Sequence, residues 1–95
     1  MSKYAERIHT DRTEIARLES LVTELPSEAR VVLTLDDGSE LRGTVPVQPT
    51  IQTFRNTDQQ EGVNAFLRLD DLDDPARQHH LWLDQIVKVT RLGSF

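Results

Sequence analysis

Three histidines and a run of aspartates are the side chains most suited to metal chemistry in this sequence. His79 and His80 are chain neighbours, and adjacent side chains on a strand point to opposite faces, so they cannot both bind one ion. Carboxylate oxygens could coordinate Ca²⁺ in the segment that holds Asp70, Asp71, Asp73 and Asp74. The spacing of an EF-hand loop is absent, and a turn rich in aspartate before Pro75 is ordinary. We therefore predict no metal site.

Residues for covalent or cofactor chemistry are equally sparse. The chain has no cysteine, no G-x-S-x-G motif and no glycine-rich phosphate loop. His9 precedes the first helical pattern, and the sequence offers no partner for it. The expectation is a protein that is not an enzyme and that needs no cofactor.

A set of aromatic and basic residues is the better candidate for a ligand or interface site. If leucines 33, 67, 81 and 83 fill the core, then Val32, Phe66 and Trp82 point outward, because side chains alternate along a strand. Exposed together they would form an interaction patch. The alternatives are that the helix covers them or that Trp82 points inward. The candidate site residues are Phe54, Arg55, Phe66, Arg68 and Trp82.

Aromatic rings beside arginines are the combination that stacks on and neutralises single-stranded RNA. Three arginines, Arg42, Arg55 and Arg68, alternate with or neighbour Phe54 and Phe66 along the chain. Surface arginines paired with the abundant carboxylates are the alternative interpretation.

Length and charge limit the number of domains and the kinds of partner that this chain can have. Ninety-five residues favour a single domain over 1–95. Sixteen acidic against eleven basic side chains give a net charge of −5, which disfavours duplex DNA as a partner. Neither a signal peptide nor an apolar run of membrane-spanning length is present, so we expect a cytoplasmic protein without a membrane partner.

A helix is predicted at about 11–25. Asp11 and Glu14 have capping-box spacing, and apolar residues then recur at helical intervals until Pro26. The pattern could extend back to Tyr4 and Ile8.

From about residue 29 to residue 92 the hydrophobic period becomes two, which predicts short strands. Asp37-Gly38 between two alternating runs favours a tight hairpin turn in which both residues take positive φ. Pro46 and Pro49 must bend or break the second strand, and a 3₁₀ turn is expected near Asp84. Five or six short strands favour an antiparallel small β-barrel of the SH3-like type, since closure removes exposed edges.

Two segments resemble the Sm-like (LSm) family. Val31 to Val47, V-V-L-T-L-D-D-G-S-E-L-R-G-T-V-P-V, is similar to its first two strands, and Leu81 to Val89, L-W-L-D-Q-I-V-K-V, is similar to its fourth strand, 3₁₀ turn and fifth strand. The resemblance implies a mainly β fold with an N-terminal helix and a five-stranded barrel, and points to an uncharacterised bacterial variant family.

The resemblance also implies function. Sm-like proteins pair edge strands between subunits and bind RNA bases through an Asp, an Asn and a late Arg-Gly or Lys-Gly pair. Here the corresponding positions fall near Pro49 and Thr53, and the late pair is replaced by Leu83-Asp84-Gln85. Two hypotheses follow: an Sm-like binding or assembly module associated with RNA, forming a homo-oligomer, or a protein-interaction or self-assembly module with no nucleic-acid role.

Overall fold

A computed structural model describes residues 3–92, which form seven strands, one α-helix and one 3₁₀ turn. In chain order they are β1 (Lys3–Tyr4), α1 (Arg12–Thr23), β2 (Arg30–Leu35), β3 (Glu40–Thr44), β4 (Ile51–Arg55), β5 (Glu61–Asp71), β6 (Gln78–Trp82), the 3₁₀ turn (Leu83–Gln85) and β7 (Ile86–Arg91).

Helix α1 begins where its capping residue predicts. The Asp11 side chain accepts a hydrogen bond from the Glu14 backbone N–H at 3.2 Å, which satisfies one of the free donors of the first turn. An extension back to Tyr4 is wrong, because Lys3–Tyr4 forms a strand. The buried face of the helical segment, Leu18, Leu21 and Leu25, packs into the core.

The strands form one mixed sheet in the order β1-β4-β5-β3-β2-β7, with β6 on the remaining edge of β5. The predicted count of five and the all-antiparallel pairing are wrong, because the prolines separate β3 from β4 and because β1 pairs with β4 in parallel. The predicted closure into a barrel is also wrong. Within residues 3–92, β6 pairs only with β5 and β7 only with β2, so the sheet is open between them.

The β2–β3 hairpin is confirmed, with a turn one residue longer than expected. The Gly38 N–H donates to Leu35 O at 2.9 Å, and Leu35 N–H donates to Ser39 O at 2.9 Å. Gly38 has φ +87° whereas Asp37 does not reach positive φ. The reversal is therefore a three-residue loop that ends in a left-handed glycine.

The core lies between α1 and the inner face of the sheet. Thirteen buried residues form one hydrophobic cluster, which draws on the helical segment, β2, β5, β6, the 3₁₀ turn and the start of β7. Leu41 of β3 and Ile51 of β4 are partly buried and pack against it. The strand β5 is the centre of the arrangement, since its first half pairs with β4 and its second half pairs with both β3 and β6. No helix within residues 3–92 is long and apolar enough to cross a membrane.

Candidate functional site

Most of the predicted site residues lie together on the outer face of β5 and β6. The register places Phe66 opposite Trp82 and Arg68 opposite His80. Phe54 reaches the same group from β4, where it pairs with Gly62 of β5. These five side chains, Phe54, Phe66, Arg68, His80 and Trp82, are called the aromatic face below.

The rings of the aromatic face are in direct contact. Trp82 lies edge-on to Phe54 with ring centroids 5.1 Å apart, and edge-on to Phe66 at 5.2 Å. Phe66 also stacks on the imidazole of His80, with centroids 5.7 Å apart and planes 16° from parallel. Both arrangements are the favoured geometries for aromatic pairs. Phe54 is buried at the base of the group, whereas Phe66 is 45% exposed, so the face presents rings to solvent.

The helix does not cover this face. Its buried leucines belong to the same core cluster as Leu67 and Leu81, whose side chains point to the opposite side of the sheet from Phe66 and Trp82. Trp82 is only partly buried. The alternatives in which the helix covers the patch or Trp82 points inward are therefore wrong.

Two residues expected at the patch lie elsewhere. Val32 is on β2, which β3 separates from β5. Arg55 follows Phe54 on β4 and is directed to the next loop, where its guanidinium lies 3.5 Å from Glu61 and 3.4 Å from the Gln59 side chain. On the aromatic face itself, Arg68 Nε lies 3.3 Å from Asp70 Oδ1.

Residues 3–10, called the strap below, form a feature that sequence analysis missed. The strap begins as β1 on the outer edge of β4 and ends on the opposite edge of β5, where His9 and Val63 exchange two backbone hydrogen bonds of 2.9 and 2.8 Å. It therefore crosses over one face of β5. A Cβ at Gly62 would lie 2.9 Å from the Ile8 Cβ, so only glycine permits this crossing.

A buried carboxylate fastens the strap. The Asp84 side chain, in the 3₁₀ turn, is 3% exposed, and its Oδ2 lies 2.9 Å from His9 Nε2 and 3.4 Å from Arg7 Nε. Asn64 of β5 donates to the same oxygen at 3.3 Å and to the Arg7 carbonyl at 3.0 Å. The four residues Arg7, His9, Asn64 and Asp84 are called the polar junction below.

Helix α1 braces the junction from the other side. Arg17 donates to the carbonyl oxygens of Ile86 at 2.7 Å and Asp84 at 3.2 Å, which fixes the 3₁₀ turn against the helix. Glu14 lies 3.9 Å from the second ring nitrogen of His9. His9 thus lies between the carboxylates of Asp84 and Glu14, which orient its ring and hold the strap in place. No hydroxyl within residues 3–92 is hydrogen-bonded to His9.

The sequence did contain a signal for the junction. Asp84 is a lone acidic residue within Leu-Trp-Leu-Asp-Gln-Ile, and a carboxylate in such an apolar run requires a buried partner. His9 was the residue without an assigned partner. Neither signal says that the two belong together, because 75 residues separate them.

The acidic loop before β6 is organised by one aspartate. Asp71 Oδ1 accepts the backbone N–H groups of Asp73 and Asp74, and its Oδ2 lies 2.8 Å from His79 Nε2. The His79 contact, followed by these backbone donors, lowers the pKa of Asp71 from 3.8 to about 2. His79 and His80 point to opposite faces, as predicted from their adjacency. Among the described residues no three His, Asp or Glu side chains group in a way that could hold a metal ion.

Comparison with known proteins places this architecture in a family. A family model described as a domain of unknown function, DUF3247, matches residues 2–92. The chain belongs to the DUF3247 family. The crystal structure of XC5848 from Xanthomonas campestris, described as a novel variant of the Sm-like motif, matches this DUF3247 chain with a TM-score of 0.92 and 44% identity. The match covers 98% of this chain and 100% of XC5848. No curated protein matches the sequence significantly.

The Sm-like resemblance inferred from the two sequence segments is therefore confirmed, as is its variant character. In this DUF3247 chain the position of the late basic pair of Sm-like proteins holds Asp84, whose carboxylate is committed to the polar junction. Near the positions of the base-binding Asp and Asn of Sm-like proteins, this chain has Pro49, which is buried, and Thr53, which is exposed.

Proposed function

We propose that this protein is a noncatalytic Sm-like module that assembles with copies of itself through the free edges of β6 and β7. The observation that carries the proposal is that β6 pairs only with β5 and β7 only with β2 within residues 3–92. Each of the two strands therefore has one unpaired edge. Free edges expose backbone donors and acceptors that another strand can satisfy.

The two edges differ, which determines the form of the assembly. A contact between β6 of one copy and β7 of the next uses two different surfaces and leaves a free edge at each end of the pair. Such a head-to-tail contact closes into a ring when the rotation between copies permits it. An exposed valine, Val87, lies on β7 and supplies apolar area at this edge.

Light scattering on the intact protein tests assembly, with a matched pair of variants. Val87→Lys places a charge on the β7 edge, whereas Val47→Lys makes the same change at an exposed valine outside the strands. We expect wild type and Val47→Lys to be oligomeric and Val87→Lys to shift toward monomer. A monomeric wild type, or equal behaviour of the two variants, would overturn the proposal.

A second candidate function, binding of single-stranded RNA, is favoured by the aromatic face. Phe66 offers a partly exposed ring stacked on His80, and the guanidinium of Arg68 lies on the neighbouring position of β5. Base stacking on aromatic rings contributes about 1–3 kcal/mol per base. The single tryptophan, Trp82, lies within this face and reports on binding by its own fluorescence.

Titration with short U-rich and A-rich strands at two salt concentrations tests RNA binding. We expect salt-sensitive quenching that Arg68→Gln weakens and Arg12→Gln, on the helix, does not. Absence of quenching at strand concentrations of about 50 μM would exclude this function and leave assembly as the proposal.

A further inference from the structure

A cavity of about 210 Å³ lies where the strap meets the β4–β5 loop, and it is lined by Lys3, Tyr4, Arg55, Asn56 and Gln59. It is formed by elements other than the free edges of β6 and β7, so what it binds does not depend on the proposed assembly. The volume is below the range of about 300–1,000 Å³ that is usual for drug-sized ligands. A small anion or a single charged group of a larger molecule fits it best.

Two cationic side chains line this cavity, and each has fewer hydrogen-bond acceptors and carboxylate partners among residues 3–92 than it could bind. The Lys3 ammonium donates to the Gln52 amide oxygen, and no carboxylate among residues 3–92 lies within 4 Å of it. Arg55 makes only long contacts through its terminal nitrogens, and its Nε is buried without an acceptor. Within the described part of the chain, Glu61, at 3.5 Å from Arg55, is the one carboxylate paired with either cation. The balance of Lys3, Arg55 and Glu61 is one positive charge, in a protein whose net charge is −5.

The β4–β5 loop that lines the cavity is closed by its own hydrogen bonds. The Asn56 side-chain oxygen accepts the backbone N–H groups of Asp58 and Gln60, and Gln59 takes φ +64° to close the turn. Tyr4 pairs with Arg55 across the parallel β1–β4 ladder and is 58% exposed. Its hydroxyl has no hydrogen-bond partner among residues 3–92, so it is a further donor at the rim.

We infer that this cavity binds a phosphoryl group, carried by a small phosphorylated molecule or present as free phosphate. Three phosphoryl oxygens can accept from an ammonium, a guanidinium and a phenol that approach from different directions, whereas a planar carboxylate offers two. The strap completes the site, because β1 supplies Lys3 and Tyr4 and the polar junction holds the strap in place.

Chemical-shift titration of the ¹⁵N-labelled intact protein with inorganic phosphate, uridine 5′-monophosphate and uridine tests the inference. We expect the two phosphorylated probes to bind with Kd on the order of 1 mM, with the largest shifts at residues 3–4 and 52–60, and uridine not to bind. Tighter binding of the monophosphate than of free phosphate would identify a phosphomonoester as the ligand, and Tyr4→Phe should weaken the binding of both probes because it removes the phenol donor.

Two charge-matched variants separate a site from a general charge effect. Lys3→Gln should weaken phosphate binding about tenfold. Arg77→Gln should leave it unchanged, since Arg77 is an exposed cation in the acidic loop whose side chain forms no hydrogen bond or ion pair with residues 3–92. Arg55→Lys keeps the charge and should weaken binding by a smaller factor. Equal effects of Lys3→Gln and Arg77→Gln, or shifts outside the cavity, would overturn the inference.

Discussion

The polar junction makes a quantitative prediction about Asp84. In Asp84→Ala the shared acceptor disappears, but its three donors are affected unequally. Arg7 is largely exposed and regains water, and Asn64 keeps its bond to the Arg7 carbonyl. His9 is mostly buried and loses the 2.9 Å contact at Nε2, so that this ring nitrogen is left without its hydrogen-bond partner in a place that water reaches poorly. Loss of one such charge-assisted bond costs about 2 kcal/mol.

Urea denaturation at fixed protein concentration, followed by circular dichroism, measures this cost. The corresponding fall in Tm is about 10 °C for a domain of this size. Asp84→Asn retains an oxygen for His9 and loses only the charge, so we expect about 1 kcal/mol.

A second aspartate provides the control. Asp36 lies 3.7 Å from the same Arg7 guanidinium but is exposed, and an exposed pair contributes about 0.5 kcal/mol or less. An Asp84→Ala cost no larger than that of Asp36→Ala would refute the conclusion that the junction holds the strap in place.

Three further predictions follow from packing and charge. Gly62→Ala should cost about 1–3 kcal/mol and speed amide exchange in the strap, because the new methyl group would overlap Ile8. Trp82→Ala removes two edge-on ring contacts from a half-buried site and should cost about 2 kcal/mol in urea denaturation; an unchanged midpoint would show that the rings do not pack. Since the folded-state pKa of Asp71 is depressed, its contact with His79 stabilises the protein above pH 3.8 and is lost as pH falls to about 2. Asp71→Asn should therefore show a smaller decline in urea midpoint over that interval, and an equal decline would contradict the assignment.

The elements that local sequence determines were predictable. The helix has a capping aspartate and a one-sided apolar pattern, and the β2–β3 hairpin has a glycine where the turn requires positive φ. Alternation along β5 and β6 also placed Phe66 and Trp82 on the outer face, because period two fixes which side chains share a face once the buried leucines are identified.

The strap and its junction depend on contacts that no local pattern encodes. A strand of two residues has no measurable period, and Lys3 and Tyr4 find their partners at Phe54 and Arg55. Closure of the barrel was predicted from the number of strands, yet closure depends on whether the ends of the sheet meet. The 3₁₀ turn of three residues connects β6 directly to β7, and no ladder joins the two.

The route of the strap imposes an order on folding. During synthesis residues 3–10 leave the ribosome before any of their partners exist, and the strap can dock only once β4 and β5 have paired. Its final contact, His9 with Asp84, requires a residue 75 positions later in the chain. The strap is therefore synthesised before every residue that holds it, and until it docks the outer edge of β4 at Phe54 and Arg55 stays open to pairing with other nascent chains.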